Sequence, residues 1–255
     1  VGGLEPGFWL DRFEREIDEF RAALAWLLQG GEDGAMKALT LANRLDYYWD
    51  WRGHAKEGQR WITAALDKIS DHETLECAIG FLNLGNLEAS DLERIRVDYE
   101  RSLAIMRSID YPFGIAGLLT NLGINAKSRN DAETATAYFA EGLQRLQALN
   151  NESGVAACIV NMGFLALQQQ QFEIANEYLD NARDIFERLG DLPNTLLTIN
   201  EIGKMFRQQG KLREAAEVQH WCLDRFLSAN IGQGIRSVLD ELGWIAIEEG
   251  KDGEA

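Results

Sequence analysis

Asparagines recur along this chain at intervals that suit hydrogen-bond recognition. Asn83, Asn121 and Asn161 are 38 and 40 residues apart, and each lies two residues before a glycine, Gly85, Gly123 or Gly163. A side-chain amide offers donors and an acceptor together, so a row of them can hold the backbone of an extended peptide without reading its side chains. The same row can instead bond a neighbouring element and fix a repeat, and the residues alone leave both readings open. Signals for catalysis are weak. His54, His72 and His220 stand singly, with no cysteine or carboxylate at a useful metal or acid–base spacing. No nucleophile elbow, H-E-x-x-H or G-x-x-x-x-G-K-[ST] occurs. A non-catalytic chain is expected, with no cofactor and no metal.

The elements that carry these residues follow from a period. Gly85, Gly123, Gly163, Gly203 and Gly243 are separated by 38, 40, 40 and 40 residues, each after Asn-Leu, Asn-Met, Glu-Ile or Glu-Leu. Within residues 155–189, apolar side chains step by three and four in two runs, broken at Gln168 to Gln171. That pattern predicts a helical hairpin, and a fixed repeat of hairpins predicts a solenoid whose units bury their apolar faces against neighbours. Small residues stand twelve positions beyond a motif glycine at Ala135, Ala175, Ala215 and Ala255, and nineteen beyond at Gly142, Ala182 and Cys222. They are expected to let helices approach at the short end of the usual ~8–10 Å spacing. Asn43, Asn86 and Asn200 share the predicted helix face of the asparagine row.

Composition narrows the function. Helix formers dominate, prolines number three, and Pro112 and Pro193 fall in predicted first turns. The net charge of −16 repels phosphate backbones and anionic lipid, so neither direct nucleic-acid contact nor membrane binding is expected. No apolar run approaches the ~18 residues of a membrane span. Three scattered cysteines, Cys77, Cys158 and Cys222, point to a reducing cytoplasm.

The pair of an apolar residue and glycine in the first helices, Leu-Gly at Gly85, Gly123 and Gly243, followed by alanines and an aromatic such as Tyr138-Phe139 or Tyr178-Leu179 in the second, resembles the tetratricopeptide repeat over about residues 33–255. The resemblance implies an all-α, right-handed α-solenoid, a superhelix of antiparallel helical hairpins. Units are expected at about 33–69, 72–109, 112–149, 152–189, 192–229 and, in part, 231–255, after a leading or capping helix within 1–32; in the first unit Ala35 to Trp51 is expected as one helix and Ala55 to Lys68 as the other, joined at Arg52-Gly53-His54. The second unit, two residues shorter from Gly85 to Tyr99, should have a tighter inter-helix turn. In this family the first helices line an inner groove. There the resemblance places Asn43, Asn83, Asn86, Asn121, Asn161 and Asn200, the apolar Tyr47, Trp51, Phe164, Leu167 and Trp244, and a basic notch of Lys127, Lys204 and Arg207, with Arg44 beside it. Such a notch suits a ligand carboxylate, although i,i+3 pairing of Glu201 with Lys204 is the plainer alternative. The carboxylate clamp of chaperone-binding repeats is absent, because Leu82, Thr120 and Val160 fill its basic positions.

A second resemblance lies in the leading helix. Residues 8–26, from Phe8-Trp9-Leu10-Asp11-Arg12-Phe13 to Trp26, followed by Arg52-Gly53-His54-x-x-Glu57-Gly58-x-Arg60-Trp61, resemble a junction in bacterial multidomain signal-transduction NTPases and MalT-like transcriptional regulators. There the repeats are the sensor arm. The chain begins at Val1 and ends soon after Gly250, where a break before another helix is expected, so it reads as part of a longer polypeptide. The expected partners are an extended peptide or protein segment, or a small inducer, together with an upstream NTPase domain of the same polypeptide. A scaffold or self-association module is the alternative.

Overall fold

In a computed structural model that describes residues 6–252, those residues form thirteen helices and no strand: α1 (Pro6–Leu27), α2 (Gly31–Arg44), α3 (Asp46–Trp51), α4 (Ala55–Leu66), α5 (Leu75–Leu87), α6 (Leu92–Ser108), α7 (Pro112–Ser128), α8 (Ala132–Ala148), α9 (Glu152–Gln168), α10 (Phe172–Leu189), α11 (Leu192–Gln208), α12 (Leu212–Ser228) and α13 (Gly232–Asp252). The chain contacts itself in two compact units, residues 1–131 and 132–255. Val1 and Ala255, on which two expectations fall, lie outside the described residues, as do the side chains of Phe8 and Trp9.

The turns have a period of their own. A left-handed residue ends a helix at Asp110, Asn130, Asn150, Gln170, Gly190, Gly210 and Asn230, one every 20 residues. In each case the next amide donates to the carbonyl five residues back, as Asp131 N does to Ala126 O at 2.9 Å and Lys211 N to Phe206 O at 2.9 Å. This 6→1 bond satisfies a carbonyl that the helix end leaves open, and Gly, Asn and Asp tolerate the conformation best. Helices of 17 residues with three connecting residues give the interval.

Close packing between the helices of a hairpin depends on the motif glycines. A Cβ built on Gly163 would stand 3.2 Å from Leu179, and one on Gly85 2.4 Å from the Tyr99 ring. Ala135, Ala175, Ala182, Ala215 and Cys222 are fully buried. In the second unit, Ala166, Ala175, Leu179, Ile202 and Met205 form one core cluster, and Leu196, Cys222, Phe226 and Val238 another.

Three expectations change. Residues 35–51 do not form one helix: the chain breaks at Leu45, between α2 and α3. Ala42 O accepts the Leu45 amide at 3.2 Å and the Trp49 indole N–H at 3.0 Å, so a buried ring donor engages a carbonyl at the break. The second hairpin's connection is not tighter. Four residues, 88–91, join α5 to α6 against three, 129–131, after α7, because the shortening falls on α5, which has 13 residues. No break occurs at Gly250, since among the described residues α13 runs on to Asp252 without a left-handed residue.

The leading helix packs on the first unit. Ile17 and Leu24 are buried, Arg21 makes a bidentate pair with Glu57 through two 2.7 Å bonds, and the Tyr48 hydroxyl donates to Glu14 at 3.0 Å. Arg52 also pairs with Asp11. Burial, with Glu14 beside it, pushes the Tyr48 phenol up to about 12.

Candidate functional site

The asparagines fall into two groups. In the first unit, Asn43 is buried and its amide donates to Glu76 O at 2.9 Å, while Asn83, also buried, donates to Asn43 Oδ1 at 3.3 Å and to Asn43 O at 3.4 Å. Both are spent on joining α2 to α5. Asn86 is exposed and its Oδ1 accepts the Tyr99 hydroxyl at 2.8 Å. Asn121 is half-buried on α7, and no hydrogen bond engages its amide among the described residues. In the second unit, Asn200 is buried between Ser237 Oγ, to which it donates at 3.1 Å, and Gln219, whose amide donates to its carbonyl at 3.0 Å. Asn161 is half-buried and donates only to Ala157 O, one turn back on its own helix, at 2.9 Å.

The second unit brings two of the sequence-derived residues to one depression. Asn161 and Phe164 of α9 stand with Val160 against Leu197, Thr198 and Glu201 of α11 around a hollow of about 280 Å³. Both helices are first helices of their hairpins. Asn161, on this wall, keeps its acceptor and one donor uncommitted. Leu167 lies lower, half-buried against the cluster containing Leu179 and Met205. The hollow therefore offers apolar walls with two amides, Asn161 and Asn194, and one carboxylate, Glu201, a setting for a peptide or an organic ligand.

Two of the basic residues, Lys204 and Arg207, are neutralised where they stand. Lys204 pairs with Glu201 at 2.6 Å; Arg207 binds Glu241 at 2.5 Å and Glu248 at 2.8 Å, linking α11 to α13. Burial works against the Arg207 charge, but its two carboxylates outweigh that and hold its pKa above the usual value. Lys127 is half-buried on α7, and Arg44 is exposed on α2. Of the aromatics, Tyr47 and Trp51 are exposed and stacked on each other with ring centroids 5.1 Å apart, and Trp244 is exposed on α13. Tyr48 and Trp49, between them in sequence, are core.

Gln219 and Asn125 are among the buried polar residues not singled out from sequence. Gln219 is fully buried opposite Gly203, where Phe139 and Leu179 stand 80 and 40 residues earlier, and aligning the repeats exposes it. Asn125 donates to Leu92 O at 2.9 Å and is the one polar residue two beyond a motif glycine, where Leu87, Leu165, Met205 and Ile245 otherwise stand. The three cysteines are buried thiols, and burial pushes Cys222 up to about 12. Among the described residues no group of three or more potential metal ligands assembles, and no helix is long and apolar enough to cross a membrane.

Residues 155–228 match the family model described as tetratricopeptide repeat. Over 143 residues, half of the chain (51%), the sequence is 31% identical to proteins of Mycobacterium bovis and Mycobacterium tuberculosis that carry the name HTH-type transcriptional regulator; the chain spans 15% of their length. Among solved structures, BtubC from P. vanneervenii superposes with a TM-score of 0.70 at 17% identity, over 86% of this chain and 92% of that one. A signal-transduction ATPase with numerous domains and a tetratricopeptide-repeat sensor, from Pyrococcus horikoshii, gives 0.66 at 13% identity, over 85% and 37%. A Rap protein complexed with competence and sporulation factor gives 0.64 at 13%, over 82% and 65%. At these identities the structures establish the fold, which is that of tetratricopeptide-repeat helical solenoids.

Proposed function

We propose that this tetratricopeptide-repeat chain is a non-catalytic ligand-recognition module, the sensing arm of a larger bacterial regulator in the cytoplasm. Its ligand is an extended peptide or protein segment, or a small inducer, taken on the first-helix faces, and its report goes to an NTPase domain upstream in the same polypeptide. The observation that carries this reading is the hollow between α9 and α11, where Asn161 and Phe164 meet with hydrogen-bonding capacity left over. Asn121, unengaged on α7, Trp244 on α13, and the Tyr47–Trp51 stack are the further contacts assigned to recognition. Lys204 and Arg207 would contribute by exchanging an internal carboxylate for one on the ligand, which is a near-even trade, and Lys127 of α7 is the third basic residue of this reading. The regulator setting is supported by the names of the mycobacterial relatives and by the fold of the ATPase sensor.

The test is a selection of twelve-residue peptides displayed on phage against the full chain, followed by calorimetry of the selected peptides. The double substitution Asn121→Ala with Asn161→Ala is expected to weaken them at least about tenfold, one lost hydrogen-bonding group each, at an unchanged melting temperature. Unchanged affinity sinks the proposal.

A specific feature supports a second reading, self-association. Leu239, Ile247 and Trp244 of α13 are about half exposed, and a Cβ on Gly243 would meet nothing within 4 Å, unlike one on Gly163 or Gly203. Light scattering of the chain, with and without Leu239→Glu and Ile247→Glu, decides it.

A further inference from the structure

Asp98 is a buried carboxylate that accepts no hydrogen bond among the described residues. Allowing for the two residues missing from its hairpin, it occupies the position held by Tyr138, Tyr178 and Val218 in later repeats. Its residue exposure is 6%, no hydrogen bond reaches its carboxylate among the described residues, and Oδ2 is sealed from solvent without a partner. The nearest cation, Arg94 Nε, stops at 4.0 Å, beyond a hydrogen bond, with its own side chain half exposed. A buried acceptor left in this state costs free energy comparable to a lost hydrogen bond or more, and a chain that keeps one calls for a reason.

The surroundings supply one. Asp98 lines a hollow of about 510 Å³ between α4, α5 and α6, inside the ~300–1,000 Å³ range of small-molecule sites. The floor is apolar, with Leu66, Phe81, Leu84 and Val97. At the rim Arg101 lies over the Phe81 ring, 5.5 Å from its centroid, and makes no ion pair among the described residues. Arg94 is the second cation and Asp67 the second carboxylate, so the charges of the lining balance. His72 is occupied: its Nε2 is 3.1 Å from Leu66 O. A lone cation or a lone anion would unbalance this set, whereas a molecule carrying one of each would complete it.

We propose that this hollow binds a small zwitterion with an apolar side chain, a free hydrophobic α-amino acid, with its ammonium on Asp98 and its carboxylate on Arg94 and Arg101. The ammonium donates to the Asp98 carboxylate through Oδ1, which is not the sealed oxygen, the arginines take the ligand carboxylate by charge-assisted bonds, and the side chain covers Leu66 and Phe81. The site is formed by second helices over a first helix of the first unit, and it stands or falls independently of the α9–α11 hollow.

The test is calorimetry of the full chain at neutral pH with L-leucine, L-leucinamide, which lacks the carboxylate, and N-acetyl-L-leucine, which lacks the ammonium. Leucine is expected to bind at least about tenfold tighter than either analogue, the loss that an unpaired buried charge entails. Asp98→Asn should weaken leucine by at least about tenfold while holding or raising the melting temperature, because it removes an unpaired buried charge. Arg101→Gln, at an exposed position, should weaken leucine and leave leucinamide unaffected. No leucine binding in the millimolar range, leucine no tighter than both analogues, or full leucine affinity in Asp98→Asn overturns the proposal. A Asp98→Asn chain that melts lower, with no leucine binding to the parent, would show a carboxylate that simply pairs with Arg94.

Discussion

The side-chain amide of Asn83 donates to Oδ1 of Asn43, 40 residues earlier, at 3.3 Å, and both groups are buried. One repeat thus grips the previous one through its asparagines. Asn161, at the same distance before its glycine, bonds only its own helix and borders an open hollow. Asn83→Ala strands the Oδ1 of Asn43 and should cost about 1–3 kcal/mol, whereas Asn161→Ala should stay within about 0.5 kcal/mol. Thermal unfolding of the two variants side by side checks the contrast, and equal losses would contradict it.

Gly85 and Gly243 occupy the same place in their repeats but face different surroundings. A methyl on Gly85 would lie 2.4 Å from the buried Tyr99 ring, and one on Gly243 meets nothing within 4 Å. Gly85→Ala is therefore expected to destabilise by about 1–3 kcal/mol through overpacking. Gly243→Ala should gain up to about 1 kcal/mol from helix propensity. Urea midpoints at constant slope report both.

Gln170 is the longest side chain among the seven left-handed residues spaced by 20. Glycine there relieves a conformation that costs an L-residue about 1–2 kcal/mol, less its own greater chain entropy. Gln170→Gly should stabilise by about 0.5–1 kcal/mol, read again from the urea midpoint. A loss would mean that Gln170 makes a contact worth more than its strain.

Hydrogen bonding from Arg21 holds the Glu57 carboxyl below the usual carboxylate range, against burial, which raises it. A folded pKa lower than the unfolded one gives stability that is fully present above the unfolded value, about 4.3. It is lost as pH falls through the folded pKa. The melting temperature should therefore drop below about pH 4.3, and Arg21→Gln should flatten that part of the curve. Parallel curves for parent and variant would show that the pair contributes nothing to docking α1.

Much of the fold was legible because its devices are local. The glycine period marks where two helices touch, and Asn130, Asn150, Gly190, Gly210 and Asn230 are residues that end helices in the left-handed region. The break at Leu45 was hidden because it depends on Trp49, whose indole reaches back to Ala42 O across the break. The site was legible only in part for a related reason. Position before a glycine fixes the helix face on which an asparagine sits, but the neighbouring helix decides whether the amide is consumed, as at Asn83, or left available, as at Asn161. Asp98 falls 40 residues before Tyr138 and 80 before Tyr178, but counting from the motif glycine leaves it two residues short, so it stands out only when the second helices are aligned directly.

The account rests on recognition by first-helix faces, and amide chemical-shift mapping tests that most directly. The labelled chain is titrated with the tightest peptide from the phage selection. Shifts concentrated at Asn161, Phe164, Leu197 and Thr198 are the predicted result. Shifts confined to the second helices α10 and α12, with the α9–α11 hollow silent, would contradict it.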